Sequence, residues 1–333
     1  MHGWLLFAVV TYLIFCNMFV DTARTYLSRI VIDDSPYIEV KKKEDKCRNV
    51  ERELDNTTDA LQINILRRRV AQFQPECLTK HFERFANALL QRMGQKQYYL
   101  HVPKTGGTSL CKLAHRNENV LAHPGNCWHE AAPCFWYLGW KGEHLTCEET
   151  NNMTWDFVAN ERWLDHPMCS SHHAYSISLR EPVVRAMSQV EHTRRKPRAS
   201  TKYNMTDRLD LMKTNYIAWS LMSGRSEDPP KFVTTMKDLP EAKRVLSSFD
   251  YILTFDNNTE CNELIYQMMG MNDVNMPHKQ KGSKNYQSKY NKTEYKLLNQ
   301  VDTCLYEYTK ELRDIDCRFF LQLKERLMVI LST

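Results

Sequence analysis

Residues 98–110, YYLHVPKTGGTSL, carry the side chains and backbone freedom needed to hold an anion. Gly106 and Gly107 let backbone amides come close to a negative charge, Thr108 and Ser109 stand where a helix would begin, and Lys104 supplies a positive charge beside Thr105. Tyr98, Tyr99, Leu100 and Val102 predict a buried strand that Pro103 ends, so the loop runs from a strand into a helix. Nucleoside-triphosphate loops of the form GxxxxGK[ST] put lysine after the glycines. Here it precedes them, which argues against a kinase or ATPase.

A second strand-like run, AYSISL at 174–179, leads into REPVVRAMSQVEH. Pro182 suits the first turn of a helix, so Arg180 stands at a strand end facing the helix start, with Ser188 two turns further on. A strand end followed by that helix can hold a second phosphate.

The order Pro-Lys-Thr-Gly-Gly-Thr-Ser resembles the 5′-phosphosulfate loop of the sulfotransferases, and R-E-P-V-V-R-A-M-S resembles their 3′-phosphate element. The chain is most similar to Golgi carbohydrate sulfotransferases of the heparan sulfate 2-O- and 6-O- type, over residues of about 98 to about 320. The tail LLNQVDTCLYEYTKELRDIDCRFF and the stretch FDYILTFDNNTECNELIYQMMGM resemble that group's closing helix and its last strand and helix. The resemblance implies that the co-substrate is 3′-phosphoadenosine 5′-phosphosulfate. It assigns cofactor binding to Lys104, Thr105, Gly106, Gly107, Thr108, Ser109, Arg180 and Ser188, and to Lys281 and Gly282 as a lysine-glycine loop closing over the nucleotide. Lys104 would also stabilise charge on the leaving group.

Transfer to a hydroxyl needs a base. Glu161 ends the run TWDFVAN, nineteen residues before Arg180, where related sulfotransferases place theirs; His144, in LGWKGEHLTCEE, resembles a Gly-Trp…His segment of the 6-O- group. The His172–His173 pair is a third candidate. No carboxylate cluster or His/Cys spacing compels a metal.

These loops need a sheet to hold them. Strands expected at about 98–102, 155–159, 174–179 and 249–255, separated by helical stretches, predict a three-layer α/β domain with a central parallel sheet, which the resemblance makes a P-loop-like sulfotransferase fold. Ligands in such sheets bind beyond the carboxyl ends of the strands. The expected division is a short cytosolic tail (1–3), a transmembrane signal anchor (4–20), a partly helical stem (21–96) and a catalytic domain (97–333). In the stem, Val50, Leu54, Leu61, Ile65, Phe82, Phe85 and Leu89 recur at helical spacing. Arg67, Arg68 and Arg69 break any coiled-coil register, which leaves packing onto the catalytic domain as an equal alternative to a stalk.

At 333 residues, with 42% apolar and 26% charged residues, the chain is globular in composition. Residues 4–20 form an uncharged run at the lower limit for a membrane span; Asp21-Thr22-Ala23 leaves cleavage open, and the resemblance favours an uncleaved type II anchor in the Golgi. N-x-[ST] sequons at Asn56, Asn152, Asn204, Asn257 and Asn291 agree with lumenal exposure. So do the eleven cysteines, of which all but Cys16 lie beyond the anchor. Cys127, Cys134, Cys147 and Cys169 with His129 offer a zinc site as an alternative, but without paired C-x-x-C spacing disulfides are expected.

The formal charge is +5, with basic runs at Arg194, Arg195, Lys196 and Arg198 and at Lys279, Lys281, Lys284, Lys289 and Lys292. Such runs suit an anionic polysaccharide acceptor, and a homo-oligomer is compatible with them. Nucleic acid is excluded as a partner by lumenal placement and by the lack of a recognition motif. The classes kept open are a glycan sulfotransferase, with a tyrosylprotein or small-molecule acceptor as a variant; a noncatalytic glycan-binding membrane protein on the same fold; and, third, a nucleotide kinase.

Overall fold

A computed structural model describes residues 40–93, 95–123, 147–148, 152, 154–161, 163–164, 168–195, 210–225, 232–255, 259–276 and 290–332. In chain order the named elements are α1 (Val40–Asp55), α2 (Ala60–Phe73), α3 (Pro75–Lys80), α4 (Phe82–Leu90), β1 (Lys96–Leu100), α5 (Gly107–Arg116), β2 (Phe157–Asn160), β3 (His173–Leu179) and α6 (Pro182–Arg195). They continue with α7 (Tyr216–Met222), α8 (Leu239–Ser248), β4 (Tyr251–Thr254), α9 (Thr259–Met268), α10 (Lys292–Leu298) and α11 (Gln300–Ser332).

The four strands form one parallel sheet in the order β2-β1-β3-β4. All four expected strands are present, with shifted ends. β1 stops at Leu100 because the Val102 amide donates to the Leu100 carbonyl at 3.2 Å, a tight turn that takes the chain out of the sheet before Pro103. Strand alternation divides the apolar residues between two cores. Tyr99, Phe157, Ala159 and Leu253 face one that also holds Phe82, Phe85, Leu113 and Phe319. Tyr98, Leu100, Val158, Ile177 and Ile252 face another with Trp163, Trp219, Leu246 and Leu305. Both faces of the sheet are therefore covered, as parallel sheets require.

The helices between residues 40 and 93 pack on this sheet. Leu54, Val70 and Phe85 share a core with β1 and β4. Arg67 and Arg68 of α2 are buried, and both bond Asp316 of α11, Arg68 at 2.5 and 3.0 Å. Arg92 joins Asp250 at 2.8 and 3.0 Å, and Asp250 also accepts from the Tyr175 amide and from Asn64. Two of the three arginines that interrupt a coiled-coil stripe in the sequence, Arg67 and Arg68, thus bind the N-terminal helices to the C-terminal one, while Arg69 pairs with Glu53 of α1.

Disulfides link Cys47 to Cys77, Cys147 to Cys169, and Cys261 to Cys317. Pairing of Cys147 with Cys169 takes both from the imagined zinc set; Cys127, His129 and Cys134 lie outside the described residues. The expected anchor at 4–20 lies outside them too. Among the described residues no helix is long and apolar enough to cross a membrane.

Candidate functional site

The sheet order reverses between β1 and β3. From β1 the chain passes through α5 to β2 on one side; from β3 it passes through α6 to β4 on the other. Between two such neighbours the loops part and leave a crevice beyond the carboxyl ends, the usual ligand position in an open parallel sheet. The loops singled out in the sequence leave from those two strands.

The first loop has a constrained backbone. Lys104 has φ 71° and Gly106 φ 89°, so an L-residue and a glycine both take the left-handed conformation within three positions. For a lysine that conformation costs about 1–3 kcal/mol and persists only where the surroundings impose it. The surroundings are visible. The buried Thr105 hydroxyl donates to the Val102 carbonyl at 2.7 Å, Ser178 Oγ of β3 donates to the Thr105 carbonyl at 2.9 Å, and the Tyr99 hydroxyl lies 2.7 Å from Ser178 Oγ. Burial pushes the Tyr99 phenol well above its ordinary range, so it stays protonated. Intrahelical bonding of α5 begins with the Ser109 amide donating to the Gly106 carbonyl at 2.9 Å, so the amides of Gly107 and Thr108 stand at the positive end of a ten-residue helix.

The two glycines have packing reasons as well. A Cβ on Gly107 would lie 1.9 Å from Cδ2 of His101, and one on Gly106 would lie 2.4 Å from the Phe255 ring. His101, buried beneath the helix start, also places Nδ1 3.8 Å from Oε1 of Glu161.

From the second loop, Arg180 donates through Nη1 to the Lys104 carbonyl at 3.3 Å and sets its guanidinium 5.3 Å from the Phe255 ring centroid. Glu181 accepts from the amides of Val183 and Val184 at 3.2 and 2.7 Å, capping α6 at its N-terminus. Lys104, Thr105, Gly106 and Arg180 are thus brought together, with Thr108 exposed and Ser109 half-buried on the first turn of α5. Ser188 is half-buried two turns along α6.

Glu161 follows β2 directly and reaches the β1 loop through His101. The Cys111 thiol of α5 is pushed up by burial and further by the charge of Glu161, so it stays protonated. His172 and His173 stand at the opposite, amino end of β3, one strand length from Arg180, roughly 20 Å for seven residues. His144, Lys281 and Gly282 lie outside the described residues. Sequence reading missed His101, Ser178, Glu181 and Phe255. Only the Glu181 cap had a local signal, a carboxylate just before Pro182 at a helix start.

A shallow hollow lined by Val50, Val70 and Phe73 lies on the N-terminal helices and not at the strand ends. Among the described residues no group of three or more His, Cys, Asp or Glu side chains could hold a metal. No protein-family model matches the chain, and no curated protein matches it at a significant level.

Proposed function

We propose that the chain is a sulfotransferase that carries a sulfuryl group from 3′-phosphoadenosine 5′-phosphosulfate to a glycan hydroxyl in the Golgi lumen. The observation that carries this reading is the meeting of the Lys104 and Arg180 loops at the point where the sheet order reverses. The left-handed Lys104, the start of α5 and the Arg180 guanidinium offer charge and amides suited to a ligand with two separated phosphate groups.

In this reading the acceptor oxygen bonds to sulfur as the bond from sulfur to the bridging phosphate oxygen breaks. Adenosine 3′,5′-bisphosphate leaves with that electron pair. The Lys104 ammonium, set against the bridging oxygen, stabilises the charge that gathers there. Glu161 takes the proton of the acceptor hydroxyl, supported by its place one residue past β2 and by His101 beside it. These steps call for no metal ion.

An anionic glycan suits the charge distribution. Arg194, at the end of α6, lies 5.3 Å from the Tyr290 ring centroid and so adjoins the chain entering α10, which begins at Lys292; the rest of the first basic run beyond Arg195 lies outside the described residues. A lumenal, type II anchored chain agrees with the three disulfides among the described residues and with sequons whose Asn56 and Asn291 are exposed.

Calorimetry on the full chain tests the reading. Adenosine 3′,5′-bisphosphate should bind far more tightly than ADP or than ATP without magnesium. Equal affinity for all three removes the assignment of Arg180 and Ser188 to the 3′-phosphate.

A further inference from the structure

A glutamate side chain turns about several bonds, and that of Glu161, one residue past β2 and 13% exposed, must be restrained if its carboxylate is to meet an acceptor hydroxyl. The neighbour placed to restrain it is His101, which is itself rigid. The His101 amide donates to the Asn160 carbonyl at 2.9 Å, so its backbone is pinned to the residue just before Glu161. Its side chain is 3% exposed, and its ring stacks on Tyr99 with centroids 5.7 Å apart and planes 17° from parallel. The two ring nitrogens face different surroundings. Nδ1 lies 3.8 Å from Oε1 of Glu161, whereas Nε2 lies under the first residue of α5, 2.2 Å from the Cβ that Gly107 lacks.

We propose that His101 is the positioning residue for Glu161, donating from Nδ1 to one carboxylate oxygen so that the other is turned to the acceptor hydroxyl. The inference rests on the reading above, in which Glu161 takes the acceptor's proton. The positive end of α5 favours a lone pair over an N–H at Nε2, which leaves the proton on Nδ1, the nitrogen turned to the carboxylate. At 3.8 Å the contact is longer than a hydrogen bond. A small rotation of Glu161 closes it, and contacts of this kind shorten as substrate is bound. Because backbone pairing, stacking and burial fix the imidazole, it is the carboxylate that moves to the ring.

Two substitutions separate the hydrogen bond from the bulk of the ring. An asparagine can set its amide nitrogen where Nδ1 stands, and a glutamine only where Nε2 stands, so His101→Asn keeps the donor and His101→Gln loses it. On the full chain, with 3′-phosphoadenosine 5′-phosphosulfate and a panel of desulfated glycans, His101→Gln should lower kcat about 10- to 100-fold, the span expected when a functional group loses its supporting hydrogen bond. His101→Asn should stay near the wild-type rate, and both variants should bind adenosine 3′,5′-bisphosphate as the wild type does. A merely structural ring would not produce that split, because lost packing beneath Gly107 would slow both variants together and weaken the nucleotide site on α5 with them. Equal losses of kcat in the two variants would overturn the proposal. So would undiminished kcat in His101→Gln, or a fall in nucleotide affinity that matches the fall in kcat. Full activity in Glu161→Gln overturns it too while leaving sulfuryl transfer intact, whereas a wild-type chain that transfers to none of the glycans brings down the reading on which it rests.

Discussion

His101 keeps Gly107 a glycine. Gly107→Ala would drive a Cβ to 1.9 Å from the imidazole, an overpacking that should destabilise the chain by about 1–3 kcal/mol in urea denaturation. In a His101→Ala background most of that penalty should vanish; an equal penalty in both backgrounds would mean that the loop backbone, not the ring, enforces the glycine. Lys104 and Glu161 separate differently. Lys104→Ala should lose both nucleotide affinity and turnover, whereas Glu161→Gln should abolish turnover with binding nearly intact. Full activity in Glu161→Gln would move the base to His144, since His172 and His173 stand at the far end of β3.

Two buried aspartates on α11 hold helices in place, and they respond to pH in opposite senses. Asp316 is pushed up by burial, but the charges of Arg68 and Arg67 outweigh this and hold it below the ordinary carboxylate range. Its contribution to stability is present above the unfolded value near 3.8 and is lost as pH falls through the depressed folded value. Asp302 accepts from the Ile217 and Ala218 amides at the start of α7, at 2.9 and 2.8 Å. Burial pushes it up to about 6, only partly offset by Arg185 and those two amides. A folded value above the unfolded one means that the native state binds the extra proton, so this carboxyl costs stability progressively as pH rises from about 4 to about 6. Over that window Asp302→Asn should gain on the wild type by roughly 3 kcal/mol, on top of a constant loss from the altered cap. Urea midpoints at pH 4, 5 and 6.5 measure the change; a difference that does not vary with pH would show that Asp302 is not raised.

In the proposed reading, an anionic acceptor would be held by charge from distant parts of the chain. Of the run at Arg194, Arg195 and Arg198, Arg194 reaches Tyr290 because α6 packs against α10, which begins at Lys292. Reversing those three arginines should raise the KM for an anionic glycan several-fold and leave nucleotide affinity unchanged. Raising ionic strength should weaken the wild-type chain's glycan binding in the same direction, because salt screens exposed charge. A preference for neutral oligosaccharides, insensitive to both changes, would remove the anionic acceptor while leaving sulfuryl transfer standing.

Local sequence determined the parts of this protein that depend on a few adjacent residues. The strands at Tyr98–Leu100 and Ala174–Leu179, the turn at Pro103, the helix start at Pro182 and the glycine-bearing turn that opens α5 all rest on short-range sterics, capping and hydrogen bonding, which near neighbours dictate. Tertiary structure decided whatever required distant residues to meet. Strand order alone put Arg180 beside Lys104. The fate of Arg67 and Arg68 turned on Asp316, about 250 positions away, because a charge can be buried only where an opposite one has been brought to it. Phe255 reads as one more core residue of a hydrophobic run, yet one residue past the end of β4 its ring is 53% exposed among the described residues, because the strand's pairing holds its backbone while its side chain leaves the layered core.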